Sequence, residues 1–140
     1  MISGNFKDFF RSSDYKLIIV ADGEPVVSVV KDGKVVSSTP AGGVSAVLDP
    51  IARMTNALYI SRAKNPGERL ALDKNDKMLV GNVERSYILK RLFFEEKDFN
   101  DYYNGFSNQT FWPLCHVAFE EPKFNDEWYR GYKKVNQASD

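Results

Sequence analysis

Apolar positions in this chain come in short runs cut by turn residues, and their period changes along the sequence. The first run, Leu17-Ile18-Ile19-Val20, closes at Asp22-Gly23-Glu24-Pro25. A short stretch that is apolar at successive positions predicts a buried strand over 15–21, central in a parallel sheet. Valines at 26, 27, 29 and 30, then at 35 and 36, flank Lys31-Asp32-Gly33-Lys34. β-Branched residues on either side of Asp-Gly predict a hairpin with a tight turn. After Pro40-Ala41-Gly42-Gly43 the period becomes helical, with Val44, Val47, Leu48, Ile51 and Ala52 on one stripe. Pro50 sits inside that stripe and is expected to kink or divide the helix, because it has no N–H to donate backwards.

Residues 57–60 read as a second sheet strand, and 78–83 and 87–94 as two more. The pair Lys90-Arg91 interrupts the last of these and predicts partial exposure. The segment 61–76 is polar around Asn65-Pro66-Gly67, so it reads as a loop with solvated charges. Residues 1–14, with Phe6, Phe9 and Phe10, read as a short helix or arm on the body.

Farther on, Phe99, Tyr102, Tyr103 and Phe106 fall at i, i+3, i+4 and i+7. That is one face of a helix, predicted over 96–106. Gly105 and Asn108 are expected to end it, and Trp112-Pro113 to open a new segment. Tyr103 and Trp112 would then line a cleft between the two segments. A last helix starts at Asn125 or Asp126, either of which can cap it, with Trp128, Tyr132 and Val135 as its inner stripe. Strands alternating with helices predict an α/β fold: a Rossmann-like sheet with a β-hairpin insertion after the first strand. Ligands of such sheets bind beyond the carboxyl ends of the strands.

Composition changes this picture only by exclusion. The 140 residues suit one domain, and 19 basic and 19 acidic side chains cancel. Nothing in that balance points to nucleic acid or an anionic membrane. No apolar run approaches the roughly 20 residues needed to span a bilayer, and the N-terminus lacks a signal-peptide pattern. A single Cys makes no internal disulfide, so the cytoplasm is the expected setting. Cys115 and His116 are adjacent, but no third group is evident to orient them as a nucleophile pair. One Cys and one His make a poor metal set.

The densest chemistry lies in 102–116, YYNGFSNQTFWPLCH, where five aromatic rings share fifteen positions with amides and hydroxyls. Rings beside neutral polar groups suit a sugar, whose C–H faces stack and whose hydroxyls bond. The bland alternative is an aromatic core stripe. Likewise a glycine loop leading into a helix N-terminus suits an anion, or simply permits a turn.

The string YYNGFSNQTFWPLCH resembles the Y-Y-x-x-F-S-N-x-x-x-W-P-x-x-H segment of the trehalose-6-phosphate synthase family. Leu17-Ile18-Ile19-Val20 resembles that family's first strand. Ala41-Gly42-Gly43-Val44 with Leu48-Asp49-Pro50 is similar to its glycine loop and first helix. Phe124, Trp128, Tyr132, Val135 and Asn136 are similar to its F…W…Y…V-N segment. The resemblance implies the N-terminal, acceptor-side part of a retaining glycosyltransferase with two Rossmann-like domains, 1–140 being one incomplete domain. It implies transfer of glucose from a nucleotide-sugar such as UDP-glucose to a sugar phosphate, without a metal. It also implies that Tyr103 and Trp112 contact the acceptor and that Gly42 and Gly43 lie near the donor phosphates. No residue of this chain matches a catalytic position.

Two positions depart from the family. Gly23 replaces an Arg that contacts the acceptor phosphate, beside the added charge of Glu24, and Arg62 replaces a Trp. Arg62 or Lys64 is the candidate substitute for the missing charge. The expected partners are the two substrates and a donor-binding domain or subunit, with an exposed apolar face prone to self-association. The alternative is a non-catalytic carbohydrate-binding or interaction domain of the same descent.

Overall fold

The computed structural model describes residues 10, 14–32, 34–40, 43–64, 66–116 and 120–138. They fall into two units, Met1–Phe93 and Phe94–Asp140. The expected N-terminal arm, apart from Phe10 and Asp14, lies outside the described residues, as do Gly33 and Gly42.

The first unit is built on a four-stranded sheet. Its strands are β1 (Ile18–Val20), β4 (Leu58–Arg62), β5 (Lys77–Gly81) and β6 (Ser86–Leu92), in the order β1-β4-β6-β5. β1, β4 and β6 run parallel, and β5 lies antiparallel to β6. The hairpin forms its own two-stranded sheet from β2 (Val27–Lys31) and β3 (Lys34–Ser38). Its register sets Lys31 opposite Lys34, which calls for a tight turn. Asp32 takes the positive φ of 50° that such a turn requires. The fold is thus the expected α/β sheet with a hairpin insertion.

Alternation along the strands sets Ile19, Tyr59, Tyr87, Leu89 and Val80 on the buried face, with Ala52, Ala57 and Val26. The opposite face carries an aliphatic row across all four strands, in which Ile18 pairs with Leu58, Leu58 with Ile88, and Ile88 with Leu79. Ile18 is 57% exposed and Leu79 67%. The expectation of a buried central strand at 15–21 is therefore corrected. Among the described residues β1 pairs only with β4, and only Ile19 of its three residues is buried.

Helix α1 (Gly43–Thr55) runs without division through Pro50, whose ring is exposed. Its buried positions are Ser45, Asp49, Ala52 and Thr55, while Val44 and Val47 face solvent. The predicted stripe is rotated because Asp49 tolerates burial. Its carboxylate accepts from the Tyr87 hydroxyl at 2.7 Å and from Arg53 Nε at 2.7 Å.

The second unit is a helical hairpin. One continuous helical run comprises α2 (Glu96–Asn100), a wide segment Asp101–Phe111 and α3 (Trp112–His116). In the wide segment the backbone bonds reach five residues back; the Trp112 N–H, for example, donates to Ser107 O. The predicted break at 105–108 is absent. Gly105 does not cap a helix end; it makes room for a ring. A Cβ there would lie 2.5 Å from Cγ of Trp128 on the packing helix α4 (Asp126–Gln137). Pro113 needs no donor where the ladder returns to α geometry. Asn125 caps α4, its Oδ1 accepting from Glu127 N at 2.8 Å. Rings of both helices fill the seam, with Phe106 4.6 Å from Tyr132 and Tyr102 6.0 Å from Tyr132. Among the described residues no helix is long and apolar enough to cross a membrane.

Candidate functional site

The first site element is the carboxyl edge of the sheet in the first unit. The loop after β1 is pinned there from three directions. The Tyr59 hydroxyl donates to Gly23 O at 2.9 Å, and Ser45 Oγ, in the first turn of α1, donates to Glu24 O at 2.5 Å. Arg91 of β6 donates to Val26 O. Burial raises the Tyr59 hydroxyl above its ordinary pKa, which keeps that donor protonated. Gly23 lies against the start of α1, where a Cβ would sit 3.3 Å from Val44 Cβ. Gly43 opens the helix with φ +66° and has open space around it. A residue with a Cβ is strained there.

Behind this edge lies a buried ionic cluster that the sequence reading missed. Arg91 is 1% exposed, against the expected partial exposure. Its guanidinium donates to Ser61 Oγ at 2.7 Å and to Arg62 O at 3.0 Å. It pairs with Glu68 at 3.1 Å and Glu24 at 3.5 Å. Glu68 belongs to a 3₁₀ turn, Pro66–Ala71, inside the predicted polar loop, so not all charges of 61–76 are solvated. The half-exposed Lys64 pairs with Glu24, and its N–H donates to Glu68 at 2.9 Å. Two carboxylates and two cations thus balance. A signal for this existed in the sequence: Tyr87, Leu89 and Arg91 alternate onto one strand face, the one that the apolar pair buries.

The second element is the ring pair of the second unit. Tyr103 stacks on Phe99 with centroids 5.4 Å apart and planes at 13°, and remains 41% exposed. Trp112 stacks on His116 at 4.2 Å and 15°, and remains 53% exposed. The rings do not line a cleft between two segments, because the helical run is continuous. What relates them is its widening. Nine residues would make about two and a half turns of an α-helix, setting the rings on opposite sides. A ladder reaching five residues back makes roughly two turns, setting them on one side. Phe106 and Phe111, five apart, show the same phase by stacking at 6.2 Å. Cys115 is exposed, and His116 bonds to the Trp112 carbonyl, so the geometry does not build a nucleophile pair from them. Among the described residues no group of His, Cys, Asp and Glu could hold a metal ion.

Residues 15–139 match the model of glycosyltransferase family 20. The chain belongs to that family. It is 29% identical over 125 residues to the trehalose-6-phosphate synthase of Mycobacterium leprae (strain TN), covering 89% of this chain and 24% of that protein. The family 20 fold is matched by an E. coli structure bound with UDP-2-fluoro glucose (TM-score 0.59, 20% identity, 89% of this chain and 23% of that one). A Burkholderia xenovorans trehalose-phosphate synthase in complex with glucose 6-phosphate matches with TM-score 0.53 and 22% identity, over 87% of this chain and 24% of that one. The chain thus spans about a quarter of the length of these relatives.

Proposed function

We propose that this chain is the acceptor-side part of a family 20 glycosyltransferase, moving glucose from a nucleotide-sugar such as UDP-glucose to a sugar phosphate, as in trehalose biosynthesis. The observation that carries the reading is the pair of half-exposed rings, Tyr103 and Trp112, in a chain whose residues 15–139 match this family. An indole face covers sugar C–H groups and a phenol bonds a hydroxyl or phosphate oxygen. Gly43, and Gly42 before it, are assigned to the donor phosphates at the start of α1. No metal or other cofactor enters the proposal. Transfer needs donor and acceptor held with reacting atoms about 3–3.5 Å apart, and groups that stabilise the leaving phosphates. Those are assigned to a donor-binding domain or subunit, with the cytoplasm as the setting.

Nucleotide release from UDP-glucose, with glucose 6-phosphate present, tests this. The 140-residue chain alone should give no turnover, and adding a family 20 donor-domain protein should produce it. Steady turnover by the chain alone, lost on Tyr103→Ala, would make this a minimal transferase instead. A second reading, a non-catalytic carbohydrate-binding domain, is favoured by Gly23 and by the pairing of Lys64 with Glu24. Sugar binding with no activity beside any donor domain would select it.

A further inference from the structure

His116 is the only histidine in the chain, and neither a metal nor a nucleophile role absorbs it. Its geometry is nonetheless highly determined for an exposed side chain. The imidazole lies one helical turn after Trp112 and nearly parallel to it, at 4.2 Å and 15°. Its Nδ1 lies 2.9 Å from the Trp112 carbonyl oxygen. A carbonyl only accepts, so Nδ1 carries the proton and donates. One ring therefore has two attachments, a hydrogen bond that fixes its own plane and a stack that transmits that plane to the indole. One indole face is stacked on the imidazole, and Trp112 as a whole remains 53% exposed.

We propose that His116 is a positioning residue. It holds the Trp112 ring flat, with a single face presented to the acceptor sugar, so that binding need not order a freely rotating indole. This rests on the reading that Trp112 contacts the acceptor. An exposed indole with nothing behind it samples several rotamers, and fixing it on binding costs affinity. A ring pair is worth enough to make that cost visible, about threefold to tenfold in affinity. The two attachments also predict an order among substitutions. His116→Phe keeps the stack and loses the bond, whereas His116→Gln keeps a donor and loses the ring.

The test has a ligand-free arm and a ligand arm, both on the 140-residue chain. In the first, NMR relaxation measures the order of the Trp112 indole N–H, its resonance assigned by loss in Trp112→Phe. His116→Ala should lower that order, His116→Gln should lower it nearly as far, and His116→Phe should keep most of it. An indole equally ordered in His116→Ala overturns the proposal whatever the ligand does. In the second, calorimetry with glucose 6-phosphate should show binding weakened about threefold to tenfold by His116→Ala and rescued by His116→Phe. If Trp112→Ala weakens binding and His116→Ala does not, positioning is refuted while the acceptor reading stands. If Trp112→Ala leaves binding unchanged, or the wild-type chain binds nothing, the acceptor reading fails and the proposal falls with it.

Discussion

Replacing Arg91 by Met is the most exacting test of how the carboxyl edge is held. Methionine keeps the length of the side chain and discards the charge and the donors. Bonds to Ser61 Oγ, Arg62 O and Val26 O disappear, with the pairs to Glu68 and Glu24. Lys64 still neutralises Glu24, so close to one buried carboxylate is left uncompensated, at a residue only 1% exposed. Removing one partner of a buried pair costs about 3–5 kcal/mol. With a urea slope of about 1–3 kcal/mol per molar, the midpoint of unfolding should fall by roughly 2 M. Both tryptophans lie in the helical unit, so unfolding is followed by far-UV circular dichroism of the backbone rather than by tryptophan fluorescence. The sharper arm is the triple variant Arg91→Met, Glu24→Gln, Glu68→Gln. If orphaned charge is the cause, the triple variant should recover much of the loss. A single variant within about 1 kcal/mol of wild type, or a triple variant no better than the single, would refute the reasoning.

Tyr87→Phe should cost about 1.5–3 kcal/mol, because the hydroxyl bonds a charged acceptor, Asp49. Burial first, then that bond, pushes the Tyr87 pKa well above its ordinary value. The stability this contributes is complete below the unfolded value of about pH 10 and is lost as the pH rises beyond it. Alkaline titration of urea stability should therefore lose part of its downward slope in the variant. Gly105→Ala would drive a Cβ to 2.5 Å from Trp128, so the hairpin must open or the indole shift, at about 1–3 kcal/mol by thermal unfolding; an unchanged melting temperature would contradict that packing. Gly23→Arg meets only a 3.3 Å contact at Val44 and should fold. Calorimetry with glucose 6-phosphate should show binding tighter by roughly tenfold or more if a phosphate sits there, since a charge-assisted contact contributes about 1.5–3 kcal/mol.

Local chemistry was legible in the sequence, and long-range compensation was not. The hairpin turn at Asp32 and the cap at Asn125 depend on residues within a few positions, and both stand where spacing puts them. Arg91 was misread because Lys90-Arg91 looks like a solvated break. Its burial is decided by Glu68 and Glu24, which no local pattern connects to it. β1 reads as central because all its residues are apolar, yet hydropathy does not say how many neighbours a strand has. In the site, Tyr103 and Trp112 could be named, but not their common side. Hydrophobic spacing marks which residues share a seam and says little about a ladder that reaches one residue farther back.

That wide ladder makes the segment between Tyr103 and Trp112 a counter of angle. Each residue advances a helix by roughly a quarter turn. Deleting or inserting a single residue there would swing one ring about a quarter turn away from the other, while leaving the apolar content of the helix almost unchanged. The connection at 120–125 is tied to the same segment, the Lys123 N–H donating to Gln109 O at 2.8 Å and the buried Thr110 hydroxyl to Lys123 O, so its length is constrained together with the ladder. A one-residue gap inside the wide segment therefore changes the angle between the two rings even where both survive.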